Sequence, residues 1–449
     1  MNEVTLTTFD PYKIPYQAKV LELLRKRWNW DDGFVEILLS GGIGSAKSTL
    51  LAHVAVTHCL FNRKALVALC RKALPDLRRT LLQEVLDHIS PLQEGKHYVY
   101  NRSSNVIWFP PTDSRLGVVT WADRAYKKIR SLKLSGVIIE EGTENDDEDY
   151  QAFLELRARL RRRPVIRENF IMVATNPDSP RHWLYRHFYL QSAKNRFVFE
   201  STPFDNPFLP PGYIDQIREG LDEIMAKRLI YGQWVESTSN SIYYTFDDSN
   251  IDAQIQINSR LPIDISWDFN VGVGKPLSVV VGQYDPTKRT YYVIDSVTIE
   301  GISTEQMIQE LVGLGYLQTN AFVRIFGDAS GRSRSTKSLS TDYDIIQQSL
   351  NRLPGIRYEF CVPLTNPAIR DRHNLVNAVI KNSLGVRRLF VHPRAKMLIE
   401  GLRLTSLKKG SAYVEDDTRP YQHVTTALGY WICVLEKSTN VKVPYMVER

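Results

Sequence analysis

Residues 40–49 read Ser40-Gly41-Gly42-Ile43-Gly44-Ser45-Ala46-Lys47-Ser48-Thr49, a run able to hold a polyphosphate. Glycines let the chain curl until successive backbone N–H groups face one point, and a helix that follows adds the positive end of its dipole. The ammonium of Lys47 would reach the β- and γ-phosphates of a nucleotide, and the Ser48 hydroxyl would ligate Mg²⁺. Gly42, Gly44, Ser45, Ala46 and Thr49 complete the cradle, with Ala46 standing where the GxxxxGK[ST] pattern has its second glycine. Such a loop needs acids on a neighbouring strand, and Val137-Ile138-Ile139-Glu140-Glu141 supplies two. Glu140, a glutamate where aspartate is more usual, would hold the Mg²⁺ shell. Glu141 would orient and deprotonate the attacking water. An arginine must also meet the transferring phosphoryl group; the loop has none, so Arg71 and Arg124 are the candidates.

Two more acids each end an apolar run: Asp268 in Ser266-Trp267-Asp268-Phe269-Asn270, and Asp328 in Ile325-Phe326-Gly327-Asp328-Ala329. Carboxylates from neighbouring strands can hold two divalent cations around a scissile phosphate; aspartate also simply favours turns. Beside Asp328, Arg332, Arg334 and Lys337 lie in a Ser/Gly-rich loop suited to a phosphate backbone, and Lys408-Lys409-Gly410 reads as a hairpin tip that could lean on the same duplex. Arg157, Arg159, Arg161, Arg162 and Arg163 adjoin an acidic run, so a solvated, charge-balanced helix suits them as well as DNA does. No base-reading motif occurs, which fits a sequence-independent grip.

These residues need rigid elements to position them. In the first half, short β-rich runs (Val35–Ser40, Ala65–Cys70, Val137–Ile139, Phe170–Ala174) alternate with helical ones (Tyr16–Arg27, Lys47–Phe61, Tyr150–Arg161), the pattern of a parallel sheet with crossover helices. A second alternating region begins near Leu261. Its strands are Ile263–Trp267, Leu277–Tyr284, Tyr291–Asp295 and Val323–Phe326, and its helices Thr304–Leu311, Tyr343–Leu350, Arg370–Leu384, Arg394–Leu402 and Val424–Leu435. Only Asp285-Pro286-Thr287-Lys288-Arg289 separates two of those strands, which predicts an antiparallel hairpin and a mixed second sheet, unlike the first. Gly232-Gln233-Trp234 and the polar Ser237–Ser241 mark a linker. The expected organisation is α/β, with domains at 1–238 and 239–449.

A chain of 449 residues suits two cores, and 43% hydrophobic with 24% charged residues is ordinary for a globular protein. A net charge of +7 leans toward a polyanionic partner. The cysteines Cys59, Cys70, Cys361 and Cys433 are scattered with no CxxC pair, which argues against a zinc site or a disulfide framework. The opening MNEVTLTTFDPYKIPYQ lacks the layout of a signal peptide, and no apolar run would span a bilayer. The expectation is an intracellular chain that does not contact membrane.

P-loops serve many functions; the choice among them comes from further motifs. Ala174-Thr175-Asn176-Pro177 followed by Arg181-His182-Trp183 resembles the coupling motif of phage terminase large subunits. Gly44-Ser45-Ala46-Lys47-Ser48 is similar to the same family's P-loop. Pro15-Tyr16-Gln17 resembles its adenine-recognising segment, where Gln17 would hydrogen-bond the base, and Tyr231-Gly232-Gln233-Trp234-Val235 its Gly-x-Trp. The correspondences keep the family's order along most of the chain.

The resemblance implies an ASCE-type P-loop ATPase domain with a parallel sheet, then an RNase H-like nuclease domain with a mixed sheet. It implies ATP with Mg²⁺ in the first and two Mg²⁺ or Mn²⁺ in the second. Thr175 and Asn176 would sense the γ-phosphate and couple hydrolysis to movement of double-stranded DNA. Asp268 and Asp328 would be the nuclease's catalytic acids. Where the family's last helix opens with Asp-His-x-x-Asp-Ala-Leu-x-Tyr, this chain reads Gln422-His423-Val424-Thr425-Thr426-Ala427-Leu428-Gly429-Tyr430, so both carboxylates are replaced. His423 would then be the third ligand, with Asp416 or Asp417 in reserve, and the softer imidazole would favour Mn²⁺. The implied partners are a small terminase subunit, the portal of a procapsid and further copies in a ring, at work in the host cytoplasm. Two other readings stay open: a P-loop ATPase/nuclease of DNA repair or transposition, and a packaging ATPase whose degenerate second domain is a DNA-binding or docking module.

Overall fold

The computed structural model describes residues 10–25, 34–122, 127–162, 169–236, 241–270, 275–333, 340–408, 415–418 and 420–439. Arg124, Arg163, Arg334, Lys337, Lys409 and Gly410 lie outside the described residues, as do residues 237–240 of the expected linker. Contacts divide the chain into two compact units: Met1–Ile214 with Ile224–Glu236, and Asp215–Glu223 with Ser237–Arg449. The sequence suggested one cut near residue 238, whereas the structure gives Asp215–Glu223 to the second unit. Groups there are held by that unit's own side chains: Asn382 Nδ2 donates to the Glu219 carbonyl at 3.1 Å, and Tyr244 OH to the Asp222 carboxylate Oδ1 at 2.6 Å.

The first unit is built on eight strands, β1 Val35–Gly41, β2 Leu66–Cys70, β3 Val99–Asn101, β4 Val106–Phe109, β5 Ser114–Val119, β6 Gly136–Ile139, β7 Phe170–Thr175 and β8 Arg196–Ser201. They lie in the order β3-β4-β5-β2-β6-β7-β1-β8. β1 and β6 are buried at every position and β7 likewise, as strands covered by helices on both faces must be. The sheet is not parallel throughout: β4 runs antiparallel to both β3 and β5. Two tight turns bring it in, using Asn105 and Asp113 at φ 52° and 54°, residue types whose short polar side chains tolerate that region. The expected helix at Tyr150–Arg161 stops at Arg157.

At the start of β1, opposite its P-loop end, Glu36 is fully buried and receives Arg157 Nε at 2.5 Å, Arg196 Nε at 2.7 Å and His187 Nε2 at 3.0 Å. Arg157 thus reaches into a core ion cluster while 39% of its side chain stays exposed. Burial alone would raise the Glu36 carboxyl, but His187, Arg196 and Arg157 outweigh it and hold it at about 2, below the usual 4.5. The cluster's contribution is thus complete above pH 4.5 and is lost as pH falls toward 2. Glu36→Gln leaves the buried Arg196 guanidinium without its anion and should cost roughly 3 kcal/mol; denaturant unfolding at pH 7 measures it, and a wild-type midpoint would refute the role.

The second unit holds β9 Ile263–Asp268, β10 Leu277–Asp285, β11 Thr290–Ile299, β12 Phe322–Gly327, β13 Arg357–Phe360 and β14 Leu389–Val391, in the order β13-β12-β9-β10-β11-β14. β9, β10 and β11 form the expected antiparallel meander, while β12 runs parallel to β9. The last helix, Tyr421–Thr439, lays Val424, Leu428, Trp431 and Ile432 on this sheet. Gly282 makes the close approach possible: a Cβ there would meet the Trp431 ring at 2.5 Å. Trp431 Nε1 in turn donates to Asp264 Oδ2 at 3.1 Å, on a carboxylate that Arg324 grips with two 2.7 Å contacts.

Candidate functional site

β1 leads straight into the glycine loop and the helix Lys47–Phe61. Gly42 must be glycine, since a Cβ would lie 2.5 Å from the Leu229 carbonyl. Gly44 adopts φ 78° and Ala46 φ 61°, so the glycine missing at position 46 leaves an L-residue in the left-handed region at a cost of about 1 kcal/mol. Lys47 folds back over the loop: its Nζ donates to the carbonyls of Gly41 (2.9 Å) and Gly42 (2.7 Å), to Ser45 Oγ (3.2 Å) and to Asn176 Oδ1 (3.1 Å). Burial pulls its amine down to about 8, with the neighbouring Glu141 opposing.

Glu140 follows β6. Its Oε1 accepts the Ser48 hydroxyl at 2.8 Å, joining the two residues expected to share Mg²⁺. Glu141 sits at φ 50°, and burial raises its carboxyl while Lys47 opposes. The structure thus brings Lys47, Ser48, Glu140, Glu141 and Asn176 together. Thr175 turns elsewhere: its hydroxyl accepts from Thr143 N at 3.0 Å and donates to its neighbours. Trp183 Nε1 donates to the Asn145 carbonyl at 2.8 Å, where His182 Nε2 also lies at 2.8 Å. The Thr-Asn-Pro and His-Trp segments therefore hold the turn after Glu141 from two sides. Trp234 fastens β1 through a 2.9 Å bond to Ser40 Oγ.

Three of the expected residues have protein partners of their own. Gln17, expected on adenine, is fully buried and donates to the Ala46 carbonyl at 2.8 Å, supporting the loop from behind. Thr49 donates to Glu84 at 2.6 Å. Arg71 does reach the site, but its guanidinium is held by Glu144 (Nε, 2.9 Å; Nη2, 2.5 Å) and Glu140 (Nη1, 3.3 Å), leaving it tied to carboxylates rather than poised toward phosphate. Sequence reasoning missed Thr80, which also donates to Glu140, and Ser201 and Asn206, which bond Ser45 Oγ and the Gly44 carbonyl. None carries a motif; only the folded sheet brings them near.

In the second unit, β9 and β12 pair in register up to Trp267↔Gly327. Asp268 and Asp328 come next on each strand, side by side at one end of the sheet. Burial raises the Asp268 carboxyl, with His423 and Asn270 opposing and Asp328 adding to the rise. His423 Nδ1 faces Asp268 Oδ2 at 2.9 Å, and Asn270 Nδ2 donates to the same oxygen at 2.6 Å. Asp328 accepts from Asn366 Nδ2 and Ser330 N, both at 2.7 Å. His423 is thus hydrogen-bonded to the first aspartate, and no group of three His, Cys, Asp or Glu among the described residues is already arranged to hold a metal ion. Asp416 accepts from Thr418 N at 3.0 Å, and Asp417 is exposed. Arg332 donates to the Val362 carbonyl at 2.7 Å, and Lys408 is exposed. No helix among the described residues is long and apolar enough to cross a membrane.

Comparison with known proteins agrees with this geometry. Residues 35–231 match the family described as phage terminase large subunit. The large terminase subunit of Bacillus phage SPP1 is 24% identical over 342 residues, covering 72% of this chain and 75% of that protein. The large terminase of a thermophilic bacteriophage superposes with a TM-score of 0.66 at 15% identity, over 94% of this chain and 98% of that one. The same phage enzyme in complex with ATP-gamma-S gives 0.64 at 15% identity, over 93% and 98%. Mixed α/β sheets matching a large terminase along nearly the whole chain agree with the sequence matches: residues 35–231 carry the match to the phage terminase large-subunit family, and the chain is similar in fold to a large terminase over most of its length.

Proposed function

We propose that this chain is a DNA-packaging motor and cutter: an ASCE-type P-loop ATPase in the first domain (about 1–238) drives double-stranded DNA through a procapsid portal, and an RNase H-like nuclease in the second (about 239–449) cuts it. The observation that carries the reading is the meeting of Lys47, Ser48, Glu140, Glu141 and Asn176 at the end of β1, β6 and β7. On ATP binding Lys47 exchanges its loop carbonyls for phosphate oxygens, and Asn176 loses its lysine partner, which links the coupling segment to the nucleotide. Ser48 and Glu140 would hold Mg²⁺, which when bound would neutralise charge on the phosphates. Glu141, its carboxyl already raised by burial, takes the proton of the attacking water. A large terminase of similar fold was obtained in complex with ATP-gamma-S, which supports nucleotide use.

In the second domain, the meander followed by parallel strands supports an RNase H-like arrangement. Asp268 and Asp328 are hard oxygen donors at adjacent strand ends, and their mutual repulsion suits a pair of divalent cations; such cations, Mg²⁺ or Mn²⁺, would supply an activated water and a clamp on the scissile phosphate. His423, now bonded to Asp268, would be the third donor of the set. The partners implied are a small terminase subunit, the portal and a ring of copies, in the host cytoplasm. ATP hydrolysis stimulated by portal-bearing procapsids beyond the stimulation by DNA ends tests the packaging role; stimulation by ends alone would favour repair or transposition. One observation favours a second reading of the second domain, as a docking module: Gln422 and Thr426 replace carboxylates and His423 is already engaged. Nicking of supercoiled plasmid by the full chain in Mn²⁺ separates the two.

The grip on DNA should be electrostatic. Affinity is expected to fall about a thousandfold or more between 50 and 200 mM salt, as for proteins making 6–10 phosphate contacts, and to vary little with sequence. Arg332→Glu should weaken cutting more than ATP hydrolysis. Filter binding across salt and sequence checks this; a strong sequence preference in the purified subunit would contradict it.

A further inference from the structure

Glu140 is one methylene longer than the aspartate usual at its position, and the extra reach has a visible destination. While Oε1 accepts from Ser48, Oε2 accepts from Thr80 Oγ1 at 2.5 Å and from Arg71 Nη1 at 3.3 Å. The same Nη1 also donates to Thr80 Oγ1 at 3.0 Å. Thr80 has one hydroxyl proton and two acceptors in reach, the Glu140 carboxylate and the Asp76 carbonyl at 2.9 Å. The shorter, charge-assisted bond takes it. A guanidinium donating into that hydroxyl polarises it further toward the carboxylate, so the chain Arg71 to Thr80 to Glu140 runs in one direction.

Local structure supports a dedicated placement. Thr80 is the single residue between the helices Leu74–Arg79 and Leu81–Ile89, at φ −114° and ψ −98°, outside both the helical and extended regions. Arg71 follows β2, beside the strand β6 that Glu140 follows, and Glu144 fixes its fork from the far side. Glu140 is 3% exposed whereas Thr80 lies at the surface, so the threonine closes the solvent side of an otherwise buried carboxylate.

We infer that Thr80 and Arg71 form a brace for Glu140, with Thr80 a positioning residue for ATP hydrolysis and Arg71 its anchor rather than an arginine finger. The inference rests on the ATPase reading above. The brace fixes the carboxylate plane so that Oε1 stays on Ser48 and the Mg²⁺ shell forms at low Mg²⁺ concentration. Without it the longer side chain has free rotamers, and the shell forms in a poorer geometry although the nucleotide is still held by the loop.

The test uses the full-length chain, with ATP hydrolysis measured as a function of both ATP and Mg²⁺. Thr80→Val keeps the shape and removes the hydroxyl; kcat should fall about tenfold, the size expected for a hydrogen bond to a charged group. The Mg²⁺ needed for half-maximal rate should rise severalfold, and the KM for ATP at saturating Mg²⁺ should change less than threefold. Thr80→Ser should recover most of the lost rate, and the melting temperature of each variant checks the fold. Arg71→Ala combined with Thr80→Val should be no slower than the worse single variant, because both act through Glu140. Effects that multiply, or an unchanged Mg²⁺ requirement in Thr80→Val, would overturn the brace. Lys47→Ala in the same assay keeps the two levels apart: a wild-type chain whose hydrolysis does not depend on Lys47 would remove the ATPase reading, and the brace with it.

Discussion

Asp268→Asn should abolish plasmid nicking by this chain, by well over a hundredfold, while ATP hydrolysis continues at the wild-type rate. The size follows from position. Residues that only support metal ligands cost about 10–100-fold when lost, and Asp268 is placed as a ligand itself, buried at the end of β9 beside Asp328. Asparagine keeps the shape and the contact with Asn270 but removes the charge that would hold a cation and draw His423. Asp328→Asn should be nearly as damaging. Two aspartates and a histidine carry one negative charge fewer than three carboxylates, so cutting should be stronger in Mn²⁺ than in Mg²⁺, and Thr426→Asp should raise activity in Mg²⁺. His423→Ala should cost substantial activity. Nicking by Asp268→Asn at more than a few per cent of wild type would show that the site is elsewhere. A silent His423→Ala beside an inactive Asp416→Asn would keep the aspartate pair and replace the third donor.

The second large effect separates binding from turnover in the first domain. Lys47→Ala should weaken ATP binding by about a hundredfold or more, since the buried ammonium would make several charge-assisted bonds, each of about 1.5–3 kcal/mol. Glu141→Gln should leave ATP bound and lower kcat by about 10²–10⁴, the usual contribution of a general base. Equilibrium binding and steady-state hydrolysis measured together check both, and wild-type turnover in either variant contradicts the assignment. A pH effect accompanies them. In the free site burial holds the Lys47 amine at about 8, and bound phosphates would raise it. Binding therefore takes up a proton above pH 8, and ATP affinity should fall as pH rises through that value while changing little between pH 6 and 7. A flat profile from pH 7 to 9.5 would mean that Lys47 does not meet the phosphates.

What could be read from the residues alone follows a physical divide. β1, the glycine loop and the helix after it were legible because an apolar run, a Gly-rich turn and Lys-Ser occur in immediate succession, and each dictates its own backbone. Asp268 and Asp328 were legible as strand ends. Their adjacency was not, because it depends on β12 pairing with β9 across an intervening meander. β4 was missed for the opposite reason: four residues, Val106–Phe109, are too short for a periodicity. The single linker expected near residue 238 overlooked Asp215–Glu223, a helical stretch whose allegiance is decided by Asn382 and Tyr244 far along the chain. Arg71 was named from its place after a strand, but its partners Glu140 and Glu144 decide whether it can reach a phosphate. Gln17 shows the same limit: only the fold reveals that its Nε2 donates to the Ala46 carbonyl while its Oε1 has no partner.

The measurement that tests packaging most directly is protection of double-stranded DNA from an added nuclease, in a mixture of this chain, portal-bearing procapsids, linear DNA and ATP. Wild-type chain should protect DNA in proportion to ATP hydrolysed. Asp268→Asn should protect it equally well on pre-cut ends, and Glu141→Gln should protect none. Vigorous ATP hydrolysis with no protected DNA, and no dependence of that hydrolysis on the portal, would contradict the account.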